Sequence, residues 1–419
     1  MRCAASLLAL LSVAVVSAAD EGIKFKKIKL DSNFWGEGVA VADINKDGQM
    51  DIFAGDVWYE MDWTGPSPSG RRHEIRTPRP TTPDRRKTGG DPIGSPHDGS
   101  KGYSHSFACF AGDFNNDGWV DFICVDFPGD PFYWYENPKG QPGHWKQHTI
   151  WRSACNETPW FGDLLGDGKP GLMLGIQPEA QMAFFRPGAD ATKTWDMFAV
   201  SAPRQRYGVE KFYHGLGVGD INGDGLPDVV VPHGWWERPS SATQQWKFHE
   251  SHLDPPTYNP PQPAKQQWPM ADLFVYDVNG DGLPDIIGSS AHKYGLWWYE
   301  NLGPKEDPKF KAHIIRDDVS ETHAMRFEDL DGDGQKEIIT GKRFYSHMRS
   351  ELGSSDPAYL FYVKISRENG QPKFTVHTID DDSGVGTQFT VADVNKDGKL
   401  DIITANKKGV HVFLQEAKN

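Results

Sequence analysis

One nine-residue pattern, Asp-x-Asn-x-Asp-Gly-x-x-Asp, recurs along this chain and limits what the chain can fold into. It stands at Asp43/Asn45/Asp47/Gly48/Asp51, at Asp113/Asn115/Asp117/Gly118/Asp121 and at Asp220/Asn222/Asp224/Gly225/Asp228. It returns at Asp277/Asn279/Asp281/Gly282/Asp285, at Asp329/Asp331/Asp333/Gly334/Glu337 and at Asp393/Asn395/Asp397/Gly398/Asp401. A seventh copy, Asp163 to Gly171, keeps Asp163, Asp167 and Gly168 but has Leu165 and Gly171 at the third and ninth places. Intervals of 50 to 70 residues make each copy the mark of one structural unit. A short apolar stretch such as Val39-Ala40-Val41 precedes the pattern, and a β-branched run such as Ile286-Ile287 follows it. Next comes an aromatic strand, as in Trp58-Tyr59-Glu60 or Trp298-Tyr299-Glu300-Asn301. A strand of alternating character closes the unit, as in Trp145 to Ile150 and Phe374 to Ile379. Four strands per unit, seven times over, predict an all-β, seven-bladed propeller of four-stranded blades.

The chain ends predict how the ring closes. The last unit has strands at Ile402-Ile403-Thr404 and Val410 to Leu414 but lacks a fourth, whereas Ile23 to Leu30 is an unpartnered copy of that strand. An N-terminal strand completing the last blade removes an open edge. Residues 20–419 therefore read as a single propeller domain. Residues 1–19 read as a cleaved leader, with Arg2, an apolar run from Leu7 to Val16 and the small residues Ser17-Ala18-Ala19. This predicts a secreted or periplasmic protein with no membrane span. Cys109, Cys124 and Cys155 cannot make a disulfide framework. Cys109 and Cys124 flank one tight loop and are either bridged or packed as thiols. Two inserts rich in Pro, Gly and charge, Thr64 to Gly102 and Pro255 to Gln267, are expected as loops over one face.

Carboxylates and amides at positions 1, 3, 5 and 9, with glycine at 6 for the sharp turn, suit a hard cation that takes many oxygen ligands. An EF-hand would need glutamate at position 12 and helices on both sides, but the first loop has Ala54 there and strand sequences as flanks. Six structural calcium sites are expected, and the altered loop of the third blade is expected empty. The plainer alternative for each loop is a hydrogen-bonded Asp/Asn turn without metal. The formal charge of −14 argues against nucleic acid and anionic membrane as partners.

These repeats resemble the FG-GAP or VCBS repeats of integrin-type propellers over nearly the whole chain after the leader. The resemblance implies the fold and says little about activity.

In such a blade the strand before the loop is innermost, so its start reaches the channel mouth opposite the calcium loops. His105, His214 and His323, with Glu37, stand there at even offsets before their loops. Asp56, Asp126, His233, Ser290, Lys342 and Asn406 stand five residues past the loops, with His292 and Arg343 close by. Three imidazoles with an open fourth position are a usual arrangement for catalytic zinc, so His105, His214 and His323 are the candidate ligands of one zinc ion. The plainer alternative is that they merely hydrogen-bond and plug the channel.

The strings Tyr213-His214-Gly215, Glu321-Thr322-His323-Ala324-Met325-Arg326 and Lys342-Arg343-Phe344-Tyr345-Ser346-His347 are similar to the propeller domain of fungal aldos-2-ulose dehydratases. That resemblance implies zinc at the mouth and a carbohydrate substrate, although the cupin and lectin-like domains of those enzymes have no counterpart here. It implies β-elimination on a keto-sugar, with His292 or His233 as base and Lys342, Arg343 or Tyr345 steadying the enolate or the departing hydroxyl. The alternative is a calcium-stabilised propeller that binds glycans or a protein and performs no chemistry.

Overall fold

The computed structural model describes residues 22–81, 102–155, 157–241, 244–256 and 270–417. The expected leader lies outside the described residues, as do residues 82–101 of the first insert and most of the second.

Among the described residues the strands form seven four-stranded antiparallel sheets. After β1 (Phe25–Asp31), the first blade runs β2 (Val39–Ala42), β3 (Asp51–Ala54), β4 (Val57–Asp62) and β5 (Ser69–Glu74). The second is β6 (Ala108–Gly112), β7 (Asp121–Val125), β8 (Phe132–Glu136) and β9 (Lys146–Trp151). The third is β10 (Trp160–Gly162), β11 (Gly171–Ile176), β12 (Gln181–Arg186) and β13 (Asp196–Ala199). The fourth is β14 (Gly217–Gly219), β15 (Asp228–Val231), β16 (Gly234–Glu237) and β17 (Lys247–Glu250). The fifth is β18 (Met270–Tyr276), β19 (Asp285–Ser290), β20 (Tyr294–Asn301) and β21 (Phe310–Ser320). The sixth is β22 (Met325–Glu328), β23 (Glu337–Gly341), β24 (Leu360–Glu368) and β25 (Gln371–Asp380). The last blade takes β26 (Thr390–Ala392), β27 (Asp401–Asn406) and β28 (Gly409–Gln415), and β1 pairs antiparallel with β28 to complete it. The first strands of the blades face one another across a channel of about 380 Å³ lined by Val41, Phe110, Phe161, Phe274 and Val391.

Six of the seven loops are held by a carboxylate buried at position nine, the third-blade loop having Gly171 there. Asp51 accepts from the Ile44 amide inside its own loop at 3.1 Å and from the Met61 amide on the third strand at 2.9 Å. Asp121, Asp228, Asp285 and Asp401 repeat both bonds, and Glu337 repeats the first. Read in the sequence only as calcium ligands, these side chains also staple the loop to the sheet through charge-assisted hydrogen bonds.

The residues expected as ligands at positions one, three and five are tied into the turn itself. The carboxylates of Asp43, Asp113, Asp220, Asp277, Asp329 and Asp393 accept from the glycine amide at position six at 2.7–3.1 Å. The side-chain oxygens of Asn45, Asn115, Asn222, Asn279 and Asn395 accept from the backbone N–H of Asp47, Asp117, Asp224, Asp281 and Asp397 at 3.0–3.1 Å. The amide nitrogens of Asn45, Asn115, Asn222 and Asn279 donate in return to the carboxylates of Asp47, Asp117, Asp224 and Asp281 at 2.9–3.3 Å. Those four aspartates and Asp397 also accept from the position-seven N–H at 2.7–3.0 Å.

The same side chains therefore form the hydrogen-bonded Asp/Asn turn given above as the plainer alternative, which leaves calcium binding open. Short Asn and Asp side chains reach the backbone two residues on, so they build the turn before they bind anything. Among the described residues, only Asp329, Asp331 and Asp333 of these loops bring three carboxylates within 4.8 Å of one another. A carbonyl or carboxylate oxygen keeps a second lone pair, so a hard cation would share these atoms with the turn. Asp43 Oδ1 is buried with no hydrogen-bond partner at all.

A second repeated device lies further out. Trp58, Trp134, Trp235 and Trp298 each stack on the cross-strand histidine of the outer strand, with ring centroids 4.1–4.5 Å apart. Glu60, Glu136, Glu237 and Glu300 lie 2.7–2.8 Å from those histidines, His73, His148, His249 and His313. The pairs bind third strand to fourth.

Among the described residues, four loops carry a basic side chain on their acids, among them Lys139 on Asp117 at 3.1 Å and Lys399 on Asp397 at 2.8 Å. In the third blade Arg186 bonds both carboxylate oxygens of Asp167 at 2.7 Å. In the sixth, the Lys364 ammonium sits 2.6 Å from Asp331 and 3.1 Å from Asp333, two of the expected calcium ligands. Cys109 and Cys124 are register partners on β6 and β7, and both carry free, buried thiols.

Burial, reinforced by the neighbouring loop carboxylates, pushes the position-nine carboxyls up to about 7 in Asp51, Asp121, Asp228 and Glu337. In Asp285 and Asp401 the same causes raise them to about 6. Without a cation, the folded chain therefore holds protons that the unfolded chain releases near the ordinary aspartate value. Their stabilising effect is complete below about pH 4 and is lost as pH rises through 6 to 7. In chelator the thermal midpoint should fall as pH rises from about 5 to 7 and level off above that, and saturating calcium should raise it and flatten the slope. Calorimetry across that range, with and without calcium, checks both.

Candidate metal centre at the channel mouth

Two short backbone pairings bring the mouth residues together. Phe212 N–H donates to Cys155 O at 3.1 Å and Glu157 N–H donates to Tyr213 O at 3.0 Å, which sets Glu157 beside His214. His323 is placed by Glu321, whose backbone is left-handed at φ 56° and whose carbonyl accepts from His323 N–H and Arg343 N–H at 2.8 Å. A non-glycine residue held this way costs about 1–3 kcal/mol. The Glu321 side chain offsets that cost by pairing with the Lys342 ammonium at 2.6 Å and accepting from Ser346, with all three side chains buried. Lys342 also donates to Ser320 at 2.7 Å. Its charge is thereby spent on the loop, a structural use in place of the enolate-steadying role expected of it.

His214 Nε2 and His323 Nε2 lie 3.0 Å apart, and the Glu157 carboxylate is 3.4 Å from the first and 3.5 Å from the second. The ring of His292 stands 4.7 Å from that of His214, and the three histidines offer nitrogens within 4.8 Å of one another. Arg343 pairs with Glu37 and lies 3.7 Å from Glu157, its guanidinium between Tyr103 and Phe107 at 5.8 Å from each ring. Arg343, Glu37, Glu157, His214 and His323 are all buried.

Burial, then the Arg343 charge, pushes the His323 imidazole down to about 3. Burial and the neighbouring His214, His323 and His347 hold His292 well below its ordinary value. Burial acts the other way on Glu157, but His214, His323 and Arg343 overcome it and keep the carboxyl well below the usual range. Neutral imidazoles beside an ionised carboxylate are the protonation states in which a borderline cation is bound. Three ligands on one ion at ~2.1 Å sit ~3.4 Å apart in a tetrahedron, close to the separations here. His214 Nδ1 lies 2.8 Å from Phe212 O, so it donates to that carbonyl and turns the Nε2 lone pair inward. His323 Nδ1 is buried with no hydrogen-bond partner.

The remaining expected residues go elsewhere. His105 turns from the group to Asp126, 2.9 Å away, with Asp130 near and Arg79 bridging to Asp126 at 2.8 Å. His233 bonds Tyr213 OH at 2.7 Å and stacks on Tyr207, so it belongs to a cluster of its own. Tyr345 lies against Arg349 and Lys407. Glu157 went unnoticed, yet its signal was present. It stands six residues before Asp163 of the altered third loop, the same offset as Glu37, His214 and His323 from theirs. His105 stands eight before its loop, and Phe107 takes the sixth place in that blade.

Comparison with known proteins agrees with this architecture. A profile described as FG-GAP-like repeat matches residues 113–173 and 277–340, each running from the first Asp of one loop through the next loop into the strand that follows it. The chain carries FG-GAP-like repeats in a seven-bladed β-propeller. No curated protein matches it. One solved structure that does is an Agrocybe aegerita lectin, described for specific recognition of non-reducing terminal N-acetylglucosamine. It is 15% identical, with a TM-score of 0.47, over 94% of this chain and 86% of that one.

The Lys342–Glu321 pair gives a direct test of how the mouth is held. Lys342→Met should cost about 3–5 kcal/mol by leaving a buried carboxylate unpaired, and adding Glu321→Gln should recover a large part. Denaturant unfolding of the two variants measures both effects.

Proposed function

We propose that the channel mouth is a metal-assisted site for an oxygen-rich, saccharide-type ligand, and that its chemistry is β-elimination beside a carbonyl. The observation that carries this reading is the convergence of His214 Nε2, His323 Nε2 and the Glu157 carboxylate at 3.0–3.5 Å inside a buried wall. Two imidazoles and a carboxylate are a zinc-type donor set. A zinc-class ion held there would supply Lewis acidity toward a carbonyl and adjacent hydroxyl. Buried charge favours a cation as well, because Glu37 and Glu157 together exceed the single charge of Arg343.

The chain's own residues supply the rest. His292, neutral beside the donor set, is the proton acceptor within reach of a ligand there. Arg343 keeps Glu157 ionised and in place, which makes it a positioning residue. Tyr103, Phe127 and the exposed Phe212 form a strip of rings 5.5–5.7 Å apart, a surface suited to the C–H face of a sugar.

The second reading is a propeller that binds saccharide at the mouth without turning it over. The engagement of Lys342 by Glu321 favours it, since one group expected to steady an enolate is taken. In either case the leader, if cleaved, would deliver the protein outside the cytoplasm.

After mild chelation and re-supply of calcium and zinc, wild type should retain zinc at this site and His323→Ala should lose it while keeping calcium. Loaded wild type should then convert keto-sugars to products absorbing in the near ultraviolet, as conjugated enones do. Zinc bound with sugar affinity but no absorbance change would favour the binding reading. Equal zinc in wild type and His323→Ala would overturn both metal roles.

A further inference from the structure

A second group of metal-binding side chains stands on the outer side of His292. His292, His347 and Glu351 offer ligand atoms within 4.8 Å of one another. Glu351 Oε1 lies 3.7 Å from His347 Nε2 and 4.0 Å from His292 Nδ1. Those separations are too long for hydrogen bonds. They are near the ~3.4–3.7 Å expected between two ligands on one ion at ~2.1 Å, in tetrahedral to trigonal arrangement. His292 Nδ1 is buried and has no hydrogen-bond partner.

Two further features prepare the group. Tyr103 OH lies 2.9 Å from His347 Nδ1, which leaves His347 Nε2 facing Glu351. The turn that delivers His347 is held in an unfavourable backbone state, with left-handed φ of 59°, 45° and 63° at Tyr345, His347 and Arg349. Three non-glycine residues in that region within five positions are a costly way to place one imidazole, and such strain gathers at ligand sites. Lys293, 3.5 Å from the other Glu351 oxygen, is the counter-charge while the group is metal-free.

We infer that His347, Glu351 and the Nδ1 of His292 bind a second divalent transition-metal ion, next to the His214–His323–Glu157 group and independently of it. Imidazole donors select a zinc-class ion over calcium. The shared imidazole links the two sites. With its Nδ1 lone pair on the outer ion, His292 can no longer accept a proton for the inner site. Resting on the function proposed above, the outer ion is therefore an inhibitor that acts by occupying the base.

The test is zinc stoichiometry of the full chain in excess calcium, in wild type, His347→Ala, Glu351→Gln and His214→Ala, with circular dichroism confirming the fold of each. Two zinc ions in wild type and one in each variant are expected. One ion in wild type, lost in His214→Ala and retained in His347→Ala and Glu351→Gln, would overturn the second site and leave the first. One ion with the reverse pattern would support the second site and overturn the proposed inner centre. No zinc in wild type overturns both. Keto-sugar turnover should fall as the second equivalent of zinc is added to wild type and stay level in Glu351→Gln. A rise, or no turnover at all, overturns the inhibitory role.

Discussion

Burial of a carboxylate at the ninth position of six of the seven loops is the constraint on which the rest of the structure depends. A carboxylate can be buried only where its charge meets donors or a cation. Here two backbone amides provide part of that compensation, one from the loop and one from the third strand. The bond pair fixes where the loop ends and how the blade's second strand sits against its third. Because the innermost strand runs directly into the loop, the same bonds fix how far each inner strand reaches toward the opposite mouth. Burial raises the proton affinity of these carboxyls in spite of the amides. In the third blade, where leucine and glycine replace two ligands, Arg186 brings its own positive charge to Asp167.

The mouth follows from that regularity. Residues six places before each loop form a ring, and four of its seven members are Glu37, Glu157, His214 and His323. The ring draws those charges and imidazoles into one buried wall, where Arg343 lowers the proton affinity of both Glu157 and His323. Buried polar groups of this kind are costly unless each is satisfied. The orphaned nitrogens of His323 and His292 and the charge left over on the two glutamates both point to a cation. The Lys342–Glu321 pair has a different task, since it steadies a strained turn behind the wall rather than facing a ligand.

Much of this was legible in the sequence. The period of the Asp/Asn/Gly loops, the flanking β-branched and aromatic runs and the spare strand at Ile23 to Leu30 predict the blades and their closure by β1 on β28. His214 and His323 were legible as mouth residues because their offset from the loops repeats. His105 was grouped with them because its offset is also even, but two residues of extended chain are ~6.6 Å, enough to carry it to Asp126. Glu157 escaped notice because its loop is the altered one, so its place in the series was not counted. Within the loops, the spacing that suits a cation is also the spacing of an Asp/Asn turn. Pairs such as Asn45 with Asp47 and Asn279 with Asp281 therefore serve the backbone in a way that a ligand pattern does not reveal.

What the sequence determined by itself is therefore whatever repeats, because a periodic pattern reports local backbone geometry that each unit forms alike. That covers the strands, the loops, the blade count and the identity of residues that reach the mouth. Only the tertiary structure decided which of those residues meet. Convergence across a channel joins side chains far apart in the chain, such as Glu157 with His323 and Glu37 with Arg343, and it depends on the closure of the whole ring. The pairing of Arg186 and Lys364 with acids of their loops and the shared wall of His292 were decided at the same level. They rest on distances between blades, which no spacing along the chain encodes.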